Sequence, residues 1–222
     1  MKHEKIYFGQ VAYKFKISDG LINRINDRMD ELIGRGQEED ISHALVGKIK
    51  KEYNFIPYIG EVDKDDEIKK CIFQVTDTCP QDYIFEIDEV NMDSCWINDQ
   101  REHEYQGIHQ HHGQTWLGFS SILYLKVPDL GKEITDTGEP LNGRTTLIGG
   151  AGGTWSHPSQ TINPKVGDFY IFPYDMEHCV YPFKGNGIRR TLVGNFDVFR
   201  TKKYQMKEGK RVYNVKDTKQ NS

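Results

Sequence analysis

Tyr105-Gln-Gly-Ile-His109-Gln-His111-His112-Gly113 decides how this chain reads. Three of its eight histidines fall within positions 109–112, just ahead of the apolar run from Phe119 to Val127. On an extended strand, residues i and i+2 share a face, so His109 and His111 aim two imidazoles at one point. Imidazole suits zinc, copper, iron and nickel.

A third ligand has to come from elsewhere, and His178 is the best placed. It follows Val166-Gly-Asp-Phe-Tyr-Ile-Phe-Pro173, a strand ended by proline, and so sits just past a turn. Arg189 comes eleven residues later, at the start of another strand. There Arg189, Thr191, Val193 and Asn195 share one face, and Arg190, Leu192, Gly194 and Phe196 the other. An arginine turned into a β-barrel is costly unless it meets an anion, and a carboxylate gripped by both guanidinium nitrogens satisfies it. Arg190 is then the solvent-facing neighbour, and a register error of one residue exchanges the two. Thr191 and Tyr124 add hydroxyls to the same pocket. Trp96, Asn98, Trp116 and Asn195 are candidate pocket lining, with Trp96 and Trp116 equally readable as core. The set suits a small dicarboxylate that chelates a metal at one end and is held at the other.

The surrounding texture sets the fold class. From Tyr83 onward, short β-branched and aromatic runs alternate with turn residues: 83–90, 94–98, 119–127, 144–148, 168–172, 180–183 and 189–199. Many short strands spaced by turns indicate a mostly β jelly roll. Before them the pattern changes. Residues 6–17 hold an early strand. Leu21, Ile22, Ile25, Met29, Leu32 and Ile33 follow helical spacing, with Ser18 or Asp19 as cap and Gly34 as stop. A second helix is expected from Asp40 to about Tyr53, a loop over 54–66, and a helix or strand over 66–75. Residues 201–222 are charged and read as a frayed tail. Gly149 to Gly153 lacks the Lys-Ser/Thr of a phosphate cradle. His103 and His157 have no ligand context.

On Trp96-Ile-Asn98, His109-Gln-His111, Ile122-Leu-Tyr124-Leu, Gly167-Asp-Phe-Tyr-Ile-Phe-Pro, His178 and Arg189-Arg-Thr191, residues 83–199 resemble the iron- and 2-oxoglutarate-dependent dioxygenases. More narrowly they resemble the 2OG-Fe(II) oxygenase group common in bacteria and tailed phages, which is prolyl-hydroxylase-like. The resemblance implies a double-stranded β-helix (jelly-roll, cupin-like) core over 83–200, a helical extension over 1–82 packed on it, and a tail over 201–222. It implies Fe(II) on His109, His111 and His178, and 2-oxoglutarate held by Arg189, Thr191 and Tyr124. It implies dioxygen as a partner, and hydroxylation of a further substrate with release of succinate and CO₂. The usual triad is two histidines and a carboxylate, and this HxH departs from it. Three arrangements stay open: the three histidines themselves, a frame shifted to His112-x-Gln114, or a carboxylate from Asp175 or Glu177. A cupin-type metalloenzyme without 2-oxoglutarate, and a non-catalytic binding module with a relic site, are the competing readings.

Bulk properties narrow the rest. At 222 residues and a net charge of −4, the chain has no global basic signal for nucleic acid. The N-terminus has no apolar stretch of the kind an export signal needs, and no run approaches the roughly 20 residues of a membrane helix. Cys71, Cys79, Cys95 and Cys179 show no CxxC spacing and read as reduced thiols of a cytoplasmic protein, in the host cytoplasm if phage-encoded. The loop from Asp129 to Pro164 and the N-terminal helices are expected to shape the substrate entrance.

Overall fold

The computed structural model describes residues 9–44, 47–78, 85–130, 140–150, 152, 157–202, 204–207 and 210–213. Strand β1 (Tyr13–Lys16) leads into α1 (Asp19–Arg35). Ser18 caps α1, its Oγ accepting from Leu21 N, and the helix ends on Gly36 at φ 62° rather than on Gly34. That left-handed position is where glycine is favoured. The apolar stripe Leu21, Ile22, Ile25, Met29 and Leu32 is buried as its spacing requires.

The next segment corrects the sequence reading. The described residues of 40–53 form no α-helix. A single 3-10 turn (Ser42–Ala44) precedes strand β2 (Glu52–Asn54), and α2 (Ile56–Val62) occupies the expected loop, with a proline in its first turn. Proline is pre-organised for that position. Helix α3 (Glu67–Thr78) follows.

The rest is β. Strands β3 (Phe85–Gln100), β5 (Gly118–Lys126), β8 (Asp168–Pro173) and β10 (Arg189–Lys202) join β1 and β2 in a six-stranded antiparallel sheet, ordered β1-β8-β5-β10-β3-β2. Strands β4 (Gln106–His109), β6 (Thr145–Ile148), β7 (Ser159–Ile162) and β9 (Glu177–Val180) form a second sheet, ordered β4-β9-β6-β7. The strand expected at 180–183 is thus β9, ending at Val180. β11 (Tyr204–Lys207) and β12 (Lys210–Tyr213) pair with each other where a frayed tail was expected; residues 214–222 lie outside the described residues, as do Cys79, residues 1–8 of the early strand region and much of the loop 129–164. Cys71, Cys95 and Cys179 are free thiols. Among the described residues, no helix is long and apolar enough to cross a membrane.

Strand parity divides the large sheet into two faces. Ile97, Leu123, Leu125, Phe169, Ile171, Leu192 and Phe196 pack with the stripes of α1, α2 and α3 in the main core. Ile122, Tyr124, Phe172 and Val193 face the other way and pack with Leu147, Ile162 and Met176. Leu147 and Ile162 come from the second sheet, so this smaller cluster lies between the two sheets. The site is built on that inner face.

Candidate metal and anion site

His109 is the last residue of β4 and pairs in register with His178 of β9. His111 lies beyond the strand end, where its backbone N donates to Tyr174 O at 3.1 Å. The strand therefore stops before the second histidine, yet the rings still converge. Centroids of His109 and His178 are 4.2 Å apart, those of His111 and His178 4.9 Å, and those of His109 and His111 5.1 Å. One nitrogen from each lies within 4.8 Å of the others, a group that can hold a metal ion.

Backbone carbonyls orient two of the rings. His109 Nδ1 sits 2.8 Å from Gly107 O, and His178 Nδ1 sits 3.2 Å from Met176 O. With each Nδ1–H donated to a carbonyl, each Nε2 keeps its lone pair, the second hydrogen bond that metal-binding histidines use. His109 Nε2 is buried without a partner, while His111 Nε2 and His178 Nε2 are 3.1 Å apart. All three rings are held neutral. Burial, helped by the neighbouring imidazoles, pushes His111 down to about 2 and His178 down to about 3. Burial also lowers His109, with the Gly107 carbonyl opposing it.

His112 does not join them. It is exposed, and its ring packs 5.1 Å from that of Trp116. The shifted frame His112-x-Gln114 is thus turned outward, and Asp175 and Glu177 are exposed outside the cluster. Trp116 is 85% exposed and is not core. Trp96 stacks on His111 at 5.7 Å and 28°.

Arg189 is the second half of the site, and it is 2% exposed. Its Nη1 donates to Gln100 Oε1 at 3.2 Å and its Nη2 to Thr145 Oγ1 at 2.9 Å; its Nε has no partner. The guanidinium lies 5.0 Å from the Tyr124 ring centroid, and the phenol donates to Thr145 at 3.0 Å. Burial lowers the Arg189 pKa, and Tyr124 opposes that shift. No carboxylate pairs with it among the described residues. A buried cation held only by neutral groups is costly, and a bound anion would offset that cost. Glu52, Asn98, Thr191 and Tyr124 stand side by side across β2, β3, β10 and β5. All four are buried, and Asn98 Oδ1 is unpartnered. Arg189, Thr191, Asn98, Trp96 and the three histidines line one narrow recess, partly open to solvent. A larger groove beside α2 and α3, lined by Ile59, Ile72, Phe73 and Met92, carries no metal-ligating cluster among the described residues.

Arg190 is not solvent-facing. It is 1% exposed, on the helix-covered face. Its Nε donates to Asp99 Oδ1 at 2.6 Å, its Nη2 to Asp99 Oδ2 at 2.7 Å, and its Nη1 to Asp30 Oδ1 at 2.6 Å. Asp30 comes from α1, an element that strand parity cannot place.

Three residues of the arrangement escape sequence reasoning. Gln100 shares a face with Asn98 and Trp96, so extending the parity of β3 finds it. Thr145 arrives from the second sheet and leaves no local signal. Asp197 is 1% exposed; it accepts from Gln114 N at 2.9 Å, Thr115 Oγ1 at 3.1 Å and Tyr174 Oη at 3.3 Å. It thereby ties the segment after His111 to the turn before His178. A Cβ at Gly113 would fall 2.3 Å from Asp197 Oδ1.

Residues 94–195 match the family model described as "Putative 2OG-Fe(II) oxygenase". No curated protein matches the sequence. Among solved structures, a Pseudomonas putida prolyl-4-hydroxylase shares 11% identity over 85% of this chain and 91% of its own, at a TM-score of 0.51. The non-haem alpha-ketoglutarate-dependent carbocyclase SnoK from nogalamycin biosynthesis shares 9% over 85% and 79%, at 0.59. HygX from Streptomyces hygroscopicus, solved with nickel, 2-oxoglutarate and hygromycin B bound, shares 10% over 85% and 82%, at 0.54. At such identities these likenesses establish the fold, the double-stranded β-helix.

Proposed function

We infer that this chain, whose residues 94–195 carry a 2OG-Fe(II) oxygenase domain, is an Fe(II)- and 2-oxoglutarate-dependent dioxygenase acting as a hydroxylase. The family uses Fe(II), 2-oxoglutarate and dioxygen. We assign the metal to His109, His111 and His178, and the distal carboxylate of 2-oxoglutarate to Arg189, with Thr191, Tyr124 and Asn98 beside it. The oxygenase core is assigned to residues 83–200, with 1–82 as its helical extension and 201–222 as its tail. The observation that carries the reading is Arg189, a buried guanidinium with an unpartnered Nε and no carboxylate, in the same recess as three neutral imidazoles. A cupin-type centre without 2-oxoglutarate has no use for that cation.

The residues fit the groups they are assigned. His109 Nε2 is an orphaned buried nitrogen, and Arg189 Nε is an orphaned donor at the anion position. When bound, Fe(II) and 2-oxoglutarate supply the oxidising chemistry, in which dioxygen converts the co-substrate to succinate and CO₂ while a substrate is hydroxylated. The chain's own part is geometric. Gly107 and Met176 carbonyls fix the ring tautomers, Trp96 backs His111, and Gln100 and Thr145 hold the Arg189 fork open. Three neutral ligands leave a bound cation its full charge, which favours an anionic co-substrate.

The test is incubation with Fe(II) and labelled 2-oxoglutarate. Succinate formation is expected, dependent on both. Absence of turnover together with absence of 2-oxoglutarate binding to the metal-loaded protein would overturn the reading.

A further inference from the structure

Six of the nine buried side-chain polar atoms that lack a hydrogen-bond partner among the described residues belong to Trp96, Asn98, His109, Ser120, Arg189 and Asn195. All six are on the inner face or line the recess. Native proteins leave few such groups, and a concentration of them marks a place where something else binds. The metal accounts for His109 Nε2. The carboxylate of the co-substrate accounts for Arg189 Nε, and Trp96 Nε1 is directed at Glu52. Asn98 Oδ1, an acceptor in the Thr191 row, stays open as well; Ser120 Oγ and Asn195 Oδ1 lie together in a separate row.

These two form a unit. Ser120 and Asn195 face each other in register across β5 and β10, and Phe172 is the next partner of Ser120 on β8. Paired residues of this kind hold their Cβ atoms roughly 5 Å apart. Parity puts Asn195 on the same face as Arg189, Thr191 and Val193. The Phe172 ring meets His178 edge-on at 4.9 Å, so this row abuts the histidine cluster. It lies beyond Val193, on the side away from Arg189. Ser120 is 0% exposed and Asn195 6%. Neighbouring Ser121, on the helix-covered face, is satisfied by Gly194 O at 3.2 Å. The contrast shows that the strand can satisfy a serine hydroxyl where no ligand is needed.

We propose that Ser120 and Asn195 form the substrate-side subsite and that it takes a carboxamide. Asn195 Oδ1 only accepts, so the ligand must bring an N–H or O–H. Ser120 Oγ–H can donate in return. Two such groups side by side suit an amide, which offers N–H and C=O from adjacent positions, better than a single hydroxyl. No carboxylate stands in this row to prefer an ammonium group.

This inference rests on the oxygenase reading, so the experiment begins with wild-type affinities for Zn(II) and then 2-oxoglutarate. If neither binds, both readings fall together. With both bound, ligand-observed NMR compares N-acetylglycinamide, its fully N-methylated counterpart and ethylene glycol. The amide is expected to bind at least tenfold more tightly than either of the others. Ser120→Ala and Asn195→Ala are each expected to weaken it about tenfold, the loss of one hydrogen bond, with Zn(II) and 2-oxoglutarate affinities as in wild type. Those two affinities report that the variants are folded. Failure of the amide to bind, equal binding of the methylated compound, stronger binding of the glycol, or variants that bind the amide as wild type does would each overturn the subsite while leaving the oxygenase reading intact.

Discussion

Arg189→Met and Arg190→Met change adjacent residues of one strand and should have opposite consequences. Arg190 is bonded through two nitrogens to Asp99, which is 3% exposed. Its removal leaves a buried carboxylate without its partner, a change that costs about 3–5 kcal/mol. The Asp30 contact adds little, because that side chain is 51% exposed. At about 2–4 °C per kcal/mol for a chain of this size, melting should fall by about 6–20 °C. Arg189 differs. Methionine there removes an unpaired buried cation and strands only Gln100 Oε1, since Thr145 keeps the Tyr124 phenol. The loss of that neutral hydrogen bond, about 1 kcal/mol, is offset by relief of the buried charge. The metal-free Arg189→Met protein should therefore lie within about 1 kcal/mol of wild type. Its 2-oxoglutarate affinity should drop at least about 30-fold, the effect of truncating one partner of a buried charge pair at about 2 kcal/mol or more. Urea unfolding of the metal-free proteins and calorimetric titration of the metal-loaded ones measure both. If Arg189→Met unfolds as early as Arg190→Met, the cation is structural and the anion argument fails.

Three further outcomes are expected. Asp197→Asn should weaken Co(II) binding about 10- to 100-fold, as changes to groups that orient metal ligands do; an unchanged affinity would remove Asp197 from that role. Glu52 is pushed up to about 7 by burial, from an ordinary 4.5. The stability it contributes is present below pH 4.5 and lost as pH rises through about 7, so Glu52→Gln should gain on wild type, by on the order of 2 kcal/mol, between pH 5 and pH 8 in parallel denaturation curves. His111 and His178 shift the other way, below the ordinary 6.5. At these two rings the metal-free folded chain binds fewer protons than the unfolded one below pH 6.5, so they withdraw stability as pH falls towards about 3. A His111→Gln, His178→Gln double variant should flatten that part of the profile.

How much of this was legible depends on the range of the interactions involved. The α1 stripe is local, and its period of 3.6 reads directly as the buried face. The histidine cluster and the parity of β10 are local as well. Residues 40–53 misled because Ile41, Ala44, Leu45, Ile49 and Tyr53 have helical spacing, while Glu52, Tyr53 and Asn54 pair with Asn98, Ile97 and Trp96. Sheet pairing over more than forty residues outweighs a weak helical pattern. The α2 helix was hidden for the opposite reason: Ile56-Pro57 reads as a break, yet proline in the first turn is a start signal.

The two arginines show where parity stops. It establishes that Arg189 and Arg190 point to opposite faces, and it says nothing of what covers each face. Read alone, the alternation gives one arginine inside and one in water. The sheet has helices on one side and a second sheet on the other, so both faces are interior. Asp30 and Asp99 make Arg190 a paired core charge. Gln100, Thr145 and Tyr124 leave Arg189 with an open nitrogen. What distinguishes the arginine proposed to bind a ligand from the paired one is therefore not burial, which the two share, but the absence of a fixed anion among the described residues.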